Sequence, residues 1–206
     1  MENDRYLIPA LPSFRFEKEI KRSRFIVSLA HTDSAESAKD FISRIKQEFP
    51  DATHNCWAYA VGPPGDTAKV GFSDDGEPQG TAGRPMLHVL LHGKAGEITA
   101  VVTRYFGGVK LGAGGLVRAY SGAVAGALEE MPVKEKIIPV KLLLLLDYNH
   151  ITQLKRLFTR TEVIVDQENF AEQAEFLISL PKEHLETIRL EVSNLTSGQG
   201  VVEVIG

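Results

Sequence analysis

The stretch "EITAVVTRYFGGVKLGAGGLVRAYSGAVAGALEE", Glu97 to Glu130, restricts the fold more than any other part of the chain. Its first nine residues, Glu97 to Tyr105, read as a buried strand rich in β-branched side chains. Five glycines then fall between Thr103 and Tyr120. From about Gly115 to Glu130 the pattern is helical, with Leu116, Val117, Tyr120, Val124 and Leu128 apolar and Ala119, Gly122, Ala123, Gly126 and Ala127 small. A helix faced with small residues can lie close against a sheet, so this chain needs a sheet, a helix packed on it and a tight turn between them.

The rest of the chain supplies partners for that unit. "FRFEKEI" (Phe14 to Ile20) and "RFIVSLAH" (Arg24 to His31) alternate as two strands of a hairpin around a basic turn. "DSAESAKDFISRIKQEFP" repeats apolar residues at helical spacing, with Asp33 and Glu36 predicted as the capping start and Pro50 as the stop. "HNCWAYAV" (His54 to Val61) and a short segment near Lys69 to Phe72 read as strands, and a helix is expected from Thr81 or Arg84 to Leu91. Pro132 and "VKEKIIP" suggest a charged linker over 132–139, separating a domain 1–131 from a domain 140–206. The second domain reads β-α-β-β-α-β, the ferredoxin-like pattern, which makes the fold class α+β.

Composition narrows the functional classes. With 206 residues and 43% hydrophobic content the chain is globular. The longest apolar run, Val140 to Leu146, is interrupted by Lys141 and falls short of the roughly 20 residues of a spanning helix, so no membrane is expected. The opening "MENDRYLIPALP" does not read as a signal peptide, which points to the cytoplasm. Cys56 stands alone, excluding an internal disulfide and multi-thiolate zinc sites. Residues 1–131 carry 15 Lys+Arg against 16 Asp+Glu, and residues 132–206 carry 8 against 11, so neither half is basic in bulk. The positive charge is local: Pro78 to Leu128 holds Arg84, Lys94, Arg104, Lys110 and Arg118 against one acid, Glu97.

A strand that ends in glycines opening a helix presents free backbone amides and the positive end of the helix dipole, a natural seat for an anion. The predicted phosphate-contacting residues are Arg84, Arg104, Gly107, Gly108, Lys110, Gly112, Gly114, Gly115 and Arg118. Neither a Walker loop nor a dinucleotide fingerprint fits, because Lys110 lies between Val109 and Leu111, and Val117 stands where the fingerprint needs a small residue. A second unusual stretch, "GFSDDGEPQGTAGRPM", clusters Asp74, Asp75 and Glu77, three acids able to hold Mg²⁺ through their oxygens. The same residues are ordinary turn formers, Thr81 is a candidate helix cap, and the acids could instead orient Arg84 and Arg104. His54 and Cys56 share one face of a strand, and His88 and His92 lie at helical spacing without a zinc-protease glutamate.

"FSDDGEPQGTAGRPM", followed about twenty residues later by "TRYFGGVKLGAGGLVRAYSGAV", closely resembles the YigZ/IMPACT family signature, with "EIKRSRFI" and "HNCWAYAV" similar to its other blocks. The resemblance implies an N-terminal α/β sandwich like the second domain of ribosomal protein S five, and a ferredoxin-like C-terminal domain similar to one in elongation factor G. Eukaryotic relatives regulate translation initiation through an additional domain that this chain does not resemble. Three functions follow. The first is a translation-linked binding protein whose N-terminal domain engages phosphate groups of RNA or of a ribosomal surface. The second is an enzyme acting on a phosphorylated small molecule with Mg²⁺, because a related fold hosts sugar and isoprenoid kinases. The third is a protein-interaction module without a nucleic-acid ligand.

Overall fold

A computed structural model describes residues 5–205, so the start of the opening segment and Gly206 of the closing "GVVEVIG" lie outside the described residues. The chain is mixed α/β and divides into two compact units, one of Tyr6–Lys136 and one of 137–205 with Arg5. In chain order the first contains β1 (Arg5–Pro9), β2 (Phe14–Ile20), β3 (Ser23–His31), α1 (Ala35–Glu48), β4 (His54–Ala60), β5 (Val70–Ser73), α2 (Gly83–Leu91), β6 (Ile98–Tyr105), α3 (Ala113–Glu130) and β7 (Val133–Ile137).

Five of these strands form one antiparallel sheet, ordered β2-β3-β6-β4-β5. The hairpin β2–β3 turns through Lys21 and Arg22, both with positive φ, the backbone that a two-residue hairpin loop requires. Central strand β6 is buried along nearly its whole length because both of its faces are covered. On one face Phe25, Val27, Leu29, Cys56, Ala58, Ala100 and Val102 pack against α2 and α3. On the other, Ala30, Tyr59, Val61 and Val101 meet Phe41, Ile42 and Ile45 of α1. Each fully buried large apolar side chain stabilises by about 1.5–3 kcal/mol. The small face of α3 lies inward as its composition suggested: Ala119, Ala123 and Ala127 are buried, and Gly126 sits against the Phe16 ring.

Three local expectations change. The capping box of α1 is Ser34 with Ser37 rather than Asp33 with Glu36, Ser34 Oγ accepting from the Ser37 amide at 3.1 Å. Thr81 does not cap α2; its hydroxyl donates to the Pro78 carbonyl, and Asp74 reaches across to the first amides of that helix. The segment read as a linker, 132–139, contains β7, which pairs with β1.

The second unit runs β8 (Pro139–Leu146), α4 (Ile151–Phe158), β9 (Ile164–Phe170), β10 (Ala174–Pro181), α5 (Leu185–Leu195) and β11 (Val201–Val204). Its antiparallel sheet is ordered β11-β8-β10-β9, and its core joins Leu142, Leu144, Phe176 and Ile178 to Leu154, Phe158, Ile188 and Val192. Among the described residues no helix is long and apolar enough to cross a membrane.

Candidate functional site

The register β4–β6 places His54 opposite Arg104 at the end of the sheet where β6 enters the glycine segment. A cleft of about 310 Å³ opens there, lined by His54, Glu77, Arg104, Phe106, Lys110 and the first residues of α3. Two wider hollows of about 700 Å³ each lie elsewhere on this unit, one beside Thr32 and Arg44 and one beside His88 and Leu128. In the smaller cleft the start of a helix, a cation and a buried acid converge, which makes it the candidate site.

The floor of the cleft is a buried hydrogen-bond network. Glu77 Oε1 accepts from Arg104 Nη1 at 2.6 Å and from the Tyr120 hydroxyl at 2.8 Å. Both charged side chains are almost fully buried. Arg104 Nη2 donates to Ser23 Oγ at 3.3 Å, while its Nε is buried without a partner, and the guanidinium lies against the rings of Phe25 and Phe106. Cys56 Sγ lies 2.9 Å from the Asp74 carbonyl and 3.3 Å from the Tyr120 hydroxyl. Burial pushes the Cys56 thiol up to about 12, so it is a packed, protonated group and not a nucleophile. Burial, together with Cys56 and Glu77, likewise raises Tyr120, which stays a neutral donor.

The three acids of the second stretch are drawn to separate partners. Asp74 accepts from the amides of Gly80 at 2.7 Å and of Ala82 and Gly83 at 2.9 Å. Burial raises its carboxyl, but the three amides outweigh that and hold it below the usual range. Asp75 takes the Lys46 ammonium at 2.5 Å and the Asn55 amide at 2.7 Å. Glu77 faces Arg104 instead. Among the described residues no cluster of three or more His, Cys, Asp or Glu side chains is placed to hold a metal ion. The acidic turn meets the basic segment and orients Arg104, the alternative noted from the sequence, but it does not orient Arg84.

The predicted phosphate residues separate into different roles. Arg104 is neutralised by Glu77 and serves the floor. Arg84 is exposed on the first turn of α2 and does not line the cleft. Gly107 is demanded by packing: a Cβ there would meet the Arg22 carbonyl oxygen at 1.9 Å. Gly112 is the N-cap of α3 with φ +74°, a conformation suited to glycine, and Gly108 has φ +82°. Gly115 sits tightly against the Leu111 side chain, whereas a Cβ on Gly114 would find only Arg118 Nη1, at 3.7 Å. Arg118 therefore folds back over the first turn of α3, the direction in which helical side chains lean. Lys110 is exposed at the rim.

At the mouth of α3 the first main-chain hydrogen bond runs from the Leu116 amide to the Gly112 carbonyl. The amides of Ala113, Gly114 and Gly115 have no acceptor among the described residues, as expected of an uncapped helix start. Sequence reasoning missed His54, Phe106 and Tyr120 as members of this site. His54 Nδ1 faces the Asp75 carbonyl at 2.9 Å, so that nitrogen carries the proton and Nε2 is turned to Glu77 Oε2, 3.9 Å away. The signal for His54 was its pairing with Arg104, a property of strand order and not of local sequence.

Residues 21–128 match the model of the Impact N-terminal domain, and residues 144–199 match a domain of unknown function. Over 97% of both chains, this one is 40% identical to a protein of Haemophilus influenzae named IMPACT family member. It is 41% identical to the Escherichia coli protein named IMPACT family member YigZ, over 94% of each. A solved structure titled as that of a hypothetical protein superposes with a TM-score of 0.73 at 38% identity, covering 99% of this chain and 98% of the other.

Proposed function

The chain belongs to the IMPACT family, and from that premise we propose that it is a translation-linked binding protein whose first unit engages phosphate groups of RNA, free or on a ribosomal surface. One observation carries this reading: three unsatisfied amides stand at the start of α3, where Gly112 and Ala113 line a cleft with Lys110 at its rim and Arg118 folds back over the same turn. Amides, helix dipole and cations all favour an anion at that point. The resemblance to a family whose eukaryotic members act on translation initiation supports RNA as the bearer of the phosphate. The second unit, with 8 basic against 11 acidic residues over 132–206, is a poor partner for a polyanion and leaves the contact to the first. The same proposal extends to a cytoplasmic location. It also includes the likeness of the first unit to the second domain of ribosomal protein S five and of the second unit to a ferredoxin-like domain of elongation factor G, which the order β11-β8-β10-β9 supports.

A salt series of RNA binding tests it. Lys110→Ala and Arg118→Ala should each weaken binding and reduce the slope of log affinity against log salt by about one. Arg84→Ala, outside the cleft, should leave both unchanged. Absence of RNA binding at low salt, or binding indifferent to Lys110 and Arg118, overturns the reading.

A further inference from the structure

The cleft has an electron-rich wall as well as a donor wall. Glu77 Oε1 is filled by Arg104 and Tyr120, but Oε2 receives no hydrogen bond from any described residue, although the side chain is only 4% exposed. Beside it His54, its Nδ1 committed to the Asp75 carbonyl, presents Nε2 as an acceptor when the ring is neutral. Both residues line the same cleft as Ala113 at the start of α3 and Lys110. That oxygen is not among the fully buried unpaired atoms of the described residues, so it is open to the cleft and can accept a further hydrogen bond, which an ionised phosphate cannot supply, since both are acceptors. The complementary ligand carries an anion at one end and a hydroxyl donor close by.

We propose that the cleft recognises a ribose phosphate unit, with the phosphate at the amides of Ala113, Gly114 and Gly115 and the ribose 2′-hydroxyl donating to Glu77 Oε2 beside His54. This rests on the phosphate reading above and adds discrimination: a deoxyribose unit leaves Glu77 Oε2 unpaired, whereas ribose satisfies it. The 2′-hydroxyl is the group by which a protein distinguishes RNA from DNA at one site. The same chemistry occurs in a strand of RNA and in a free ribonucleotide.

The test changes the ligand first, so that folding is not at issue. Single-stranded RNA, DNA and 2′-O-methyl RNA of one sequence are titrated against the full chain at one salt concentration. RNA should bind about tenfold or more tighter than either of the others. His54→Ala should shrink that ratio, and Lys110→Ala should weaken all three oligomers by a common factor with the ratio kept. Equal affinity for the three oligomers, still lowered by Lys110→Ala, overturns the hydroxyl inference and leaves the phosphate reading standing. A ribonucleoside 5′-monophosphate and its 2′-deoxy form are titrated in parallel. Binding of the ribo form with no oligomer bound upholds the hydroxyl site and overturns RNA as its source, and no binding of any ligand overturns both.

Discussion

Strand β6 carries a buried glutamate network at each end, and the two are built to opposite purposes. At its start Glu97, in the left-handed region at φ +50°, uses both carboxylate oxygens. Oε1 accepts from the Tyr6 hydroxyl at 2.7 Å and from Lys136 Nζ at 2.5 Å, and Oε2 from His31 Nε2 at 2.7 Å. Those donors come from β1, β7 and the end of β3, so this carboxylate fastens the β1–β7 ribbon to the five-stranded sheet. At the other end Glu77 receives two donors on one oxygen and leaves the other turned to a cleft. A fully saturated buried carboxylate is a structural clasp. A half-saturated one beside free helix amides is left open to a further partner, which is where the proposed ligand would sit.

The largest effect is expected where both members of an ion pair are buried. Arg104→Ala leaves the Glu77 carboxylate uncompensated under α3 and should cost about 3–5 kcal/mol, read as a lower urea midpoint with unchanged slope. If the variant proves nearly as stable as the parent, Glu77 is not held as an ion in the folded protein, and the contrast between the two ends fails. The size of this effect is also why Arg104 is unsuitable as a probe of binding, although its position in the glycine segment invites that use.

Glu97 should respond less, because the Lys136 side chain is 38% exposed and its attraction is screened. Burial raises the Glu97 carboxyl, but hydrogen bonds from Lys136, His31 and Tyr6 outweigh it and hold it below its ordinary 4.5. A carboxyl depressed by folding adds stability that is complete above its unfolded value and is lost as pH falls through the folded one. Glu97→Gln should therefore cost about 1–3 kcal/mol near neutrality, with the gap to the parent closing below about pH 4.5. A gap that stays constant from pH 7 to pH 3 would show that the clasp works through packing and not through charge.

The same contrast explains what the amino-acid sequence discloses. The strands other than β1 and β7, the three longer helices and the small inward face of α3 depend on local periodicity and were legible. The glycine segment was legible as a helix start with free amides because those amides are a local property of a strand running into a helix. Glu77 with Arg104 lies 27 residues apart, and His54 with Arg104 is joined only by the pairing of β4 with β6. Such contacts depend on strand order, so the acids beside "EPQG" looked like metal ligands or turn residues. Asp74 was misleading for a related reason: its partners are main-chain amides, which no side-chain pattern reveals. Likewise "VKEKI" in β7 is charged and flanked by prolines, and its partner β1 is only five residues long, too short to show an alternation.

The smallest effect sharpens the comparison most, because stability and binding should move in opposite directions. Gly114 is exposed within the first turn of α3, and apart from Arg118 Nη1 at 3.7 Å nothing lies within 4 Å of the position its Cβ would take. Neither a positive φ nor a close approach requires glycine there, and glycine costs a helix about 0.5–1 kcal/mol relative to alanine. Gly114→Ala should therefore stabilise the protein by roughly that amount in urea unfolding. The added methyl stands at the mouth of the helix, where an incoming phosphate must approach the amides, so RNA affinity should fall while the RNA-to-DNA ratio set at the Glu77 wall is kept. A variant that is more stable and binds as well as the parent would mean that the ligand does not reach the start of α3, and the Glu77 end of β6 would then be as purely structural as the Glu97 end.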